Sequence, residues 1–254
     1  MLAPGARNCA FMLDDTKPNP LATTDALILC GGAGTRLRPV ISDKPKGLAP
    51  LGGRPFLDIL VEDLLEQGFR RLIFCVGYLK EQIIGRYRDR DDAEYLFSEE
   101  DAPLGTGGAI QNALPLVCSD PFLVSNGDSF CTVDLGEFYL FHHRKEAIAS
   151  LVLARVDERH DGGIVCLDET QRILSFVEKS GTRDQQHCFV NAGMYLMQKE
   201  TVELHRESSP LSLEYDVFPA LVKSNRCFGF VVGSQLFDIG TPERYRKANG
   251  EYLK

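Results

Sequence analysis

The chain has 254 residues, 44% of them hydrophobic and 25% charged, which is ordinary for a globular protein and ample for a single α/β domain. Its formal net charge of −8 disfavours nonspecific binding to nucleic acid, because binding to a phosphate backbone normally needs a basic surface. No apolar run approaches the roughly 20 residues of a membrane helix, and the first residues do not resemble a secretory signal. We therefore expect a cytoplasmic protein with neither a nucleic-acid nor a membrane partner.

The predicted elements begin after an N-terminal extension. Residues 1–24 contain three prolines and many small or polar residues, so we expect a flexible segment there. From Asp25 onward, strand patterns alternate with helix patterns. Strands are predicted in DALILC, RRLIFCVG, EYLFSEE and PFLVSNGD, and helices in RPFLDILVEDLLEQGF, LKEQIIGRYR and TGGAIQNALPLV. This alternation predicts a parallel sheet with helices on both faces.

The pattern changes after residue 145. Strands with short turns are predicted in IASLVLARVD, GGIVCLDE, RILSFVEKS and HCFVNAGMYLMQ, and helices in SLEYDVFPALVKS and TPERYRKANGEYLK. We therefore expect one domain over residues 25–254. Its fold class would be a Rossmann-like three-layer α/β sandwich with a mainly parallel central sheet and added mixed strands from the second half.

The cysteines favour free thiols over a disulfide framework. There is no CxxC motif and no Cys/His cluster with zinc spacing. Several of the eight cysteines lie inside apolar, strand-like runs, so we expect buried thiols in a reducing cytosol; the positions are 9, 30, 75, 118, 131, 166, 188 and 227.

The stretch LCGGAGTRLRP, residues 29–39, follows the first predicted strand and is typical of a phosphate-binding loop. Glycines let backbone N–H groups approach phosphate closely, and Arg36 adds a cation. No GxxxxGK[ST] run is present, and the GxGxxG register fails at Leu37, which disfavours a dinucleotide-dependent oxidoreductase. The loop alone leaves two interpretations open, a nucleoside triphosphate loop and a tight turn with surface arginines.

The longer stretch GGAGTRLRPVISDKPKGLAPLGGRP resembles the signature of the sugar-phosphate nucleotidyltransferases, GGxGTRLxP followed by a lysine after proline. Further matches follow in the family's order: EDAPLGTGGAI, VSNGDSF, FVEKS, FVNAGMYL, SLEYDVFP and FDIGTPERY. The resemblance covers about residues 25–254. It implies an enzyme whose partners are a nucleoside triphosphate and a sugar 1-phosphate, with pyrophosphate as the leaving group.

The resemblance also implies the roles of individual residues. Arg36 would act on the triphosphate and its leaving group, and Lys46 would contact phosphate near the reacting centre. Asp128 and Asp238 would hold Mg²⁺, or alternatively Mn²⁺, and a carboxylate at a strand's carboxyl end suits such an ion. The implied nucleotide-binding residues are Gly31, Gly32, Gly34, Thr35, Gly105, Thr106 and Gly107. The implied sugar-phosphate-binding residues are Gly163, Glu178, Lys179 and Asn191.

Within the family, SEEDAPLGTGGAI and NGDSF look most like the members that make GDP-heptose from GTP and D-glycero-α-D-manno-heptose 1-phosphate. Mannose-1-phosphate guanylyltransferases share the PLGT loop and the NAG run, so they are an alternative. A non-catalytic homologue that senses nucleotide sugars is another, which the presence of Arg36, Lys46 and both aspartates disfavours. The base itself does not follow from the chemistry of the glycine loop, and the oligomeric state stays open.

Overall fold

The computed structural model describes residues 19–155, 163–177, 188–203 and 210–252. The strands are β1 (Asp25–Leu29), β2 (Pro50–Leu51), β3 (Arg54–Pro55), β4 (Arg71–Val76), β5 (Glu94–Glu99), β6 (Phe122–Asn126), β7 (Ser129–Cys131), β8 (Ala149–Arg155), β9 (Ile164–Leu167), β10 (Ile173–Val177), β11 (Cys188–Met197), β12 (Cys227–Val232) and β13 (Leu236–Asp238). The helices are α1 (Phe56–Glu66), α2 (Lys80–Tyr87), α3 (Gly105–Ala113), α4 (Leu135–Arg144), α5 (Glu200–Glu203), α6 (Phe218–Val222) and α7 (Pro242–Tyr252).

The first half of the chain forms the parallel part of the central sheet. β1 pairs in parallel with β4 on one side and β6 on the other, and β5 pairs in parallel with β4. Leu27 and Ile28 on β1 point into separate apolar clusters on opposite faces, and both are fully buried. Burial on both faces explains why these strands are continuous apolar runs. The predicted fold class is confirmed.

The second half adds the mixed strands. β11 runs antiparallel to β6, β8 and β9, β10 runs antiparallel to β9, and β12 runs parallel to β8. The strand β12 was missing from the predicted elements, although its sequence CFGFVV is apolar. Among the helices that the structure describes, none is long and apolar enough to cross a membrane.

Residues 19–24, the last part of the predicted flexible extension, differ from that expectation; residues 1–18 lie outside the described residues. Pro20–Thr23 forms a short 3-10 helix, which Asn19 caps by accepting a hydrogen bond from the N–H of Leu21 at 3.0 Å. The Asn19 amide also donates to the carbonyl of Gln67 at 3.0 Å, and Leu21 is buried in the core. This capping and burial stabilise a local structure that the prolines did not predict.

The expectation of free thiols is wrong for Cys166 and Cys188, which form a disulfide. Their positions are directly opposite each other on the antiparallel strands β9 and β11, with a Cα–Cα distance of 4.3 Å. The strand register, which no local pattern encodes, brings the two residues together. The free cysteines in the described residues are Cys30, Cys75, Cys131 and Cys227, which are buried, and Cys118, which is exposed.

A buried carboxylate fixes the amino end of β1. Asp25 is fully buried and accepts hydrogen bonds from Arg71 Nε at 2.7 Å and from the N–H groups of Cys118 and Ser119 at 2.5 and 2.8 Å. A buried charge is tolerated only with such partners. β1 is thereby anchored at one end, and the glycine loop follows its other end.

We predict that His142 makes the protein less stable in acid. This side chain is 1% exposed, and its Nδ1 lies 2.9 Å from Ser150 Oγ. Burial, with a smaller effect of the neighbouring His143, lowers the pKa of His142 to about 4. A pKa below the value of the unfolded chain means that protons bind preferentially to the unfolded state. Above about pH 6.5, His142 is neutral in both states and does not lower the free energy of unfolding. As the pH drops toward 4, protonation of His142 in the unfolded chain lowers the free energy of unfolding by at most about 3 kcal/mol.

Urea unfolding of the wild type, His142→Gln and His143→Gln at several pH values tests this prediction. We expect the free energy of unfolding of His142→Gln to depend less steeply on pH between 6.5 and 4. The exposed His143 is the matched control, and because its effect on the pKa of His142 is the smaller one, its variant should keep most of the wild-type slope. Identical slopes in all three proteins would contradict the prediction.

Candidate active site

A cavity of about 570 Å³ opens where β1, β4, β5 and β6 reach their carboxyl ends. Ligands of open α/β sheets bind at this edge, and the volume suits a nucleotide-sized molecule. Its wall is formed by the segments that follow the four strands and by the start of a 3-10 turn. The lining includes Gly31, Gly32, Gly34, Lys46, Gly77, Tyr78, Glu100, Gly105, Thr106, Asn126 and Asp128.

The glycine loop after β1 is held on both sides by backbone hydrogen bonds. The carbonyl of Gly31 accepts from the N–H of Tyr78 at 2.9 Å, and the carbonyl of Leu29 accepts from Gly127 at 2.9 Å. A Cβ at Gly77 would lie 2.7 Å from the Gly31 oxygen, so a side chain there would push the two turns apart. The loop is therefore a fixed wall of the cavity.

Thr35 and Arg36, both in the described part of the chain, are exposed and lie outside the cavity wall. They belong to a turn anchored by Leu37, which is 1% exposed. The neighbouring Arg38 stacks its guanidinium 4.7 Å from the ring centre of Tyr78. Arg38 thus joins the turn to the cavity wall, and Arg36 next to it is accessible to a ligand.

Lys46 begins a 3-10 turn at Lys46–Leu48, and its stem lies against Gly34, where an added Cβ would come within 3.2 Å of Lys46 Cβ. Its ammonium forms an ion pair with the carboxylate of Asp128. The structure therefore brings together a predicted catalytic cation and a predicted metal ligand.

The two predicted metal ligands are neighbours across a small antiparallel sheet. Asp238 lies opposite Ser129 where β13 pairs with β7, and the N–H of Ile239 donates to the carbonyl of Asp128 at 3.0 Å. Asp238 accepts from the N–H of Gly240 at 2.6 Å and from Arg244 Nη1 at 2.7 Å. These contacts fix the orientation of a carboxylate that is about four-fifths buried, with 19% of the side chain exposed.

The donor set fits Mg²⁺ or Mn²⁺ bound together with a substrate. Within the described residues no group of three or more His, Cys, Asp or Glu side chains could hold a metal alone. Mg²⁺ is commonly held by one or two carboxylates, with waters and substrate phosphates completing the shell. Asp128, on the cavity wall, and Asp238, on the strand paired next to it, are the candidates for such a pair.

Glu100 is a cavity residue that the sequence analysis did not select. It follows β5, its Oε2 accepts from the N–H of Leu104 at 3.2 Å, and its Oε1 faces Gly31. Burial raises the pKa of Glu100 above its ordinary value, and the hydrogen bond from Leu104 opposes that rise. Among the contacts described, this half-buried carboxylate has no ion pair with a basic side chain. It can therefore accept hydrogen bonds from the N–H groups of a ligand.

The GTGG segment, residues 105–108, lies between β5 and the body of α3; part of it lines the cavity and part of it packs against another segment. Gly105 and Thr106 line the cavity, whereas Gly107 lies outside its wall as the structure describes it. The N–H of Gly107 donates to the carbonyl of Leu211 at 2.9 Å, and an added Cβ would lie 2.8 Å from Leu211 Cγ. Gly107 therefore packs against the segment before α6, and its contact with a nucleotide stays a prediction.

Thr106 connects the cavity to that same segment. Its hydroxyl donates to Glu214 Oε2 at 2.8 Å and accepts from the N–H of Leu213 at 2.8 Å. Ser212 donates to the same Glu214 oxygen at 2.8 Å. The SLEYDVFP segment therefore supports the loop that carries Gly105 and Thr106.

Of the predicted sugar-phosphate residues, Gly163 lies directly before β9, Asn191 lies on β11, and the other two lie outside the described residues. The N–H of Asn191 donates to the carbonyl of Gly163 at 2.9 Å, so the structure brings these two residues together. The Asn191 amide also donates to Tyr195 Oη at 2.8 Å and accepts from the N–H of Gly193 at 3.1 Å. Glu178 and Lys179 lie outside the described residues.

The sequence profile of the family described as "Nucleotidyl transferase" matches residues 25–254. A mannose-1-phosphate guanylyltransferase of Mycobacterium tuberculosis is 33% identical over 91% of this chain, which spans only 65% of that relative's length. A D-glycero-alpha-D-manno-heptose 1-phosphate guanylyltransferase of Aneurinibacillus thermoaerophilus is also 33% identical, over 89% of this chain and 97% of the relative.

A solved structure has a similar fold. HddC from Yersinia pseudotuberculosis, complexed with GMP-PN, superposes with a TM-score of 0.76 at 32% sequence identity. The match covers 90% of this chain and 99% of the HddC chain. The family match and the structural match together cover the strands that form the cavity.

We predict that Gly105→Ala destabilises the protein and that Gly85→Ala does not. Gly105 has φ +80°, and an added Cβ would lie 2.4 Å from the carbonyl oxygen of Leu211, so both backbone and neighbours oppose a side chain. Gly85 lies in α2 with nothing within 4 Å of an added Cβ. Alanine is the better helix former, and Gly85→Ala should stabilise by about 0.5–1 kcal/mol. Thermal unfolding of both variants checks this, and a lower Tm for Gly85→Ala than for Gly105→Ala would contradict it.

Proposed function

We propose that this chain, which belongs to the nucleotidyl transferase family, is a sugar-1-phosphate guanylyltransferase. A phosphate oxygen of the sugar 1-phosphate attacks the α-phosphorus of GTP. The new bond joins that oxygen to the α-phosphorus, and the bond from the α-phosphorus to the bridging oxygen of the β-phosphate breaks. Pyrophosphate leaves with the electron pair, and the product is a GDP-sugar.

The proposed chemistry needs positioning and positive charge more than proton transfer. The attacking phosphate oxygen is already an anion, so no side chain has to remove a proton from it. Lys46, whose ammonium lies beside Asp128, would contact phosphate at the reacting centre. Arg36, exposed on the turn next to the glycine loop, would bind the triphosphate and the charge that grows on the leaving group.

We propose that Asp128 and Asp238 hold a divalent cation, Mg²⁺ or Mn²⁺. The backbone contact between the segments that carry the two aspartates, and the position of Asp128 on the cavity wall, support this assignment. When bound, the ion would neutralise phosphate charge and polarise the phosphoryl group. Arg244 and Gly240 keep Asp238 oriented for that role.

The observation that carries the guanine assignment is the Glu100 carboxylate in the cavity wall. The Watson–Crick edge of guanine presents two adjacent donors, N1–H and the N2 amino group, and an ionised carboxylate is a two-oxygen acceptor that matches them. Adenine presents an acceptor at N1, and uracil and thymine flank a single donor with carbonyls. The guanylyltransferase names of the relatives support the same base.

For the sugar, we propose D-glycero-α-D-manno-heptose 1-phosphate, with mannose 1-phosphate as the second candidate. The support for heptose is the resemblance of SEEDAPLGTGGAI and NGDSF to the heptose members, together with 33% identity to the Aneurinibacillus thermoaerophilus relative. The equal identity of a mannose enzyme keeps the second candidate open. Gly163 and Asn191, with Glu178 and Lys179, are the proposed sugar-phosphate contacts.

The decisive experiment measures pyrophosphate release for each pairing of GTP, ATP, UTP, CTP and dTTP with heptose, mannose and glucose 1-phosphates. We expect the highest kcat/KM with GTP and heptose 1-phosphate. A higher value with mannose 1-phosphate would replace the sugar and keep the reaction. The absence of pyrophosphate release in every pairing would overturn the proposed function.

We predict that Glu100→Gln lowers kcat/KM for GTP by about 10- to 100-fold, the cost of mispairing one bidentate base contact. The substituted amide keeps one acceptor and sets a donor against a guanine donor. ITP lacks the 2-amino group, so the variant should discriminate less between GTP and ITP than the wild type does. Glu99→Gln is the control, because Glu99 pairs with Lys80 outside the cavity wall described here. An unchanged GTP/ITP ratio in Glu100→Gln would argue against base recognition by Glu100.

We predict that turnover requires the divalent cation. Excess chelator should abolish turnover. Asp128→Asn or Asp238→Asn should lower turnover by about 100-fold or more, because such an ion stabilises the charge of the transition state by several kcal/mol. Asp43→Asn, at a side chain that is 76% exposed, is the control and should keep wild-type turnover. Comparing the Mn²⁺ affinity of each variant, measured by electron paramagnetic resonance, separates metal loss from misfolding. Full turnover in chelator would exclude a metal requirement.

A further inference from the structure

Asn126 has a buried acceptor without a partner. The residue ends β6 and lines the cavity. Its Oδ1 is buried and accepts no hydrogen bond from any residue that the structure describes. A buried polar atom in that condition costs free energy, and such atoms are rare in native structures. The cost is recovered when a ligand donates to the amide.

The neighbours of Asn126 do not supply the missing donor. The amide lies against Gly193, where an added Cβ would come within 2.7 Å of Asn126 Nδ2. Ser129, the nearby hydroxyl, donates to the carbonyl of Ala192 at 3.1 Å. The glycine leaves room for the amide, and the serine hydrogen is engaged elsewhere.

The position of Asn126 along the sheet edge indicates which part of a nucleotide it meets. Its register partner on β1 is Leu29, the residue before the glycine loop, and Asp128 follows two residues later. Glu100 follows β5, but its side chain reaches back along the edge, and its Oε1 faces Gly31 just beyond the end of β1. Asn126 therefore shares this edge with the proposed base contact, Glu100, and with the proposed metal ligand, Asp128. The ribose joins the base of a nucleotide to its phosphates, so a nucleotide held at both ends would bring its ribose to this part of the edge.

We propose that the Asn126 amide hydrogen-bonds a ribose hydroxyl of the bound nucleoside triphosphate and makes the site selective for ribonucleotides. A hydroxyl both donates and accepts, so it can pair with either end of the amide, whereas a phosphate oxygen only accepts. The inference rests on the proposed nucleotide site and adds to it a determinant of sugar recognition within the nucleotide.

The test compares the wild type and Asn126→Leu, whose side chain has the same branching and heavy-atom count and no polar atom. Dissociation constants for GTP, 2′-deoxy-GTP and 3′-deoxy-GTP are measured by calorimetry. We expect the wild type to bind GTP about tenfold more tightly than at least one deoxynucleotide, as for one hydrogen bond lost at a buried acceptor. Asn126→Leu should bind all three with equal affinity.

The thermal stability of the ligand-free protein is a second measurement. If the Asn126 amide only supported the fold, its removal would lower the Tm. Removing an unpartnered buried acceptor should raise the Tm of Asn126→Leu by about 2–4 °C. Asn112→Leu is the matched control, because the Asn112 amide donates to Ser98 Oγ at 2.8 Å and to the carbonyl of Glu99 at 3.1 Å. Its Tm should fall, and its selectivity for ribose should equal that of the wild type.

Equal discrimination by the wild type and Asn126→Leu would overturn the inference, as would a lower Tm of the ligand-free Asn126→Leu protein. The proposed function fails differently. If the wild type binds none of the three nucleotides, the proposed nucleotide site is wrong, and the inference falls with it.

Discussion

The cavity depends on the close approach of two backbone turns, one after β1 and one after β4. Gly31 and Gly77 lie so close that a Cβ on Gly77 would come within 2.7 Å of the Gly31 carbonyl oxygen. This contact allows Tyr78 to donate to that oxygen and to present its ring to Arg38. Packing of the fold therefore favours glycine at Gly31, the first glycine of the signature, independently of any ligand. A loop that must be tight for packing is also preorganised for a ligand, which lowers the entropy cost of binding.

Charge at the site is compensated within the chain before any substrate arrives. Asp128 pairs with Lys46, and Asp238 pairs with Arg244. A chain of net charge −8 can thus keep carboxylates beside a site for polyanions without strong repulsion. The ammonium of Lys46 has three donors, so it can contact Asp128 and a phosphate together. The arrangement favours catalysis by positioning, in which side chains are oriented in advance and need not reorganise during the reaction.

Local patterns predicted the sheet and the helices because strands and helices differ in the spacing of apolar residues. β1, β4, β5 and β6 are confirmed, and the rule for open α/β sheets already placed the loops after them at one edge. Contacts between distant segments were not predictable in this way. β7 and β13 have only three residues each, too few for a periodic signal, so the proximity of Asp128 and Asp238 followed only from family resemblance.

Local sequence patterns also did not identify Glu100 and Asn126 as site residues. Each is a polar residue next to a strand end, a place where turns commonly carry polar residues for solubility. Their importance comes from burial in a shared cavity and from the acceptor left unpartnered on Asn126, and neither property has a local signature. The pairing of Cys166 with Cys188 likewise follows from the register of β9 and β11. Sequence patterns therefore locate the edge where the site forms, and nonlocal packing decides which side chains compose it.

The proposed nucleotide and sugar contacts belong to different parts of the sheet. The cavity is built on the parallel strands β1, β4, β5 and β6, whereas Gly163 precedes β9 and Asn191 lies on β11, two strands that pair antiparallel. The Asn191 amide is held by Tyr195 and Gly193, so its geometry is set within β11 and not by the glycine loop. Under the proposed function, a substitution near β9 or on β11 would alter the sugar contacts without disturbing the contacts to the base. Relatives named for mannose and for heptose are each 33% identical to this chain, as expected if one set of proposed nucleotide contacts is combined with different sugar contacts.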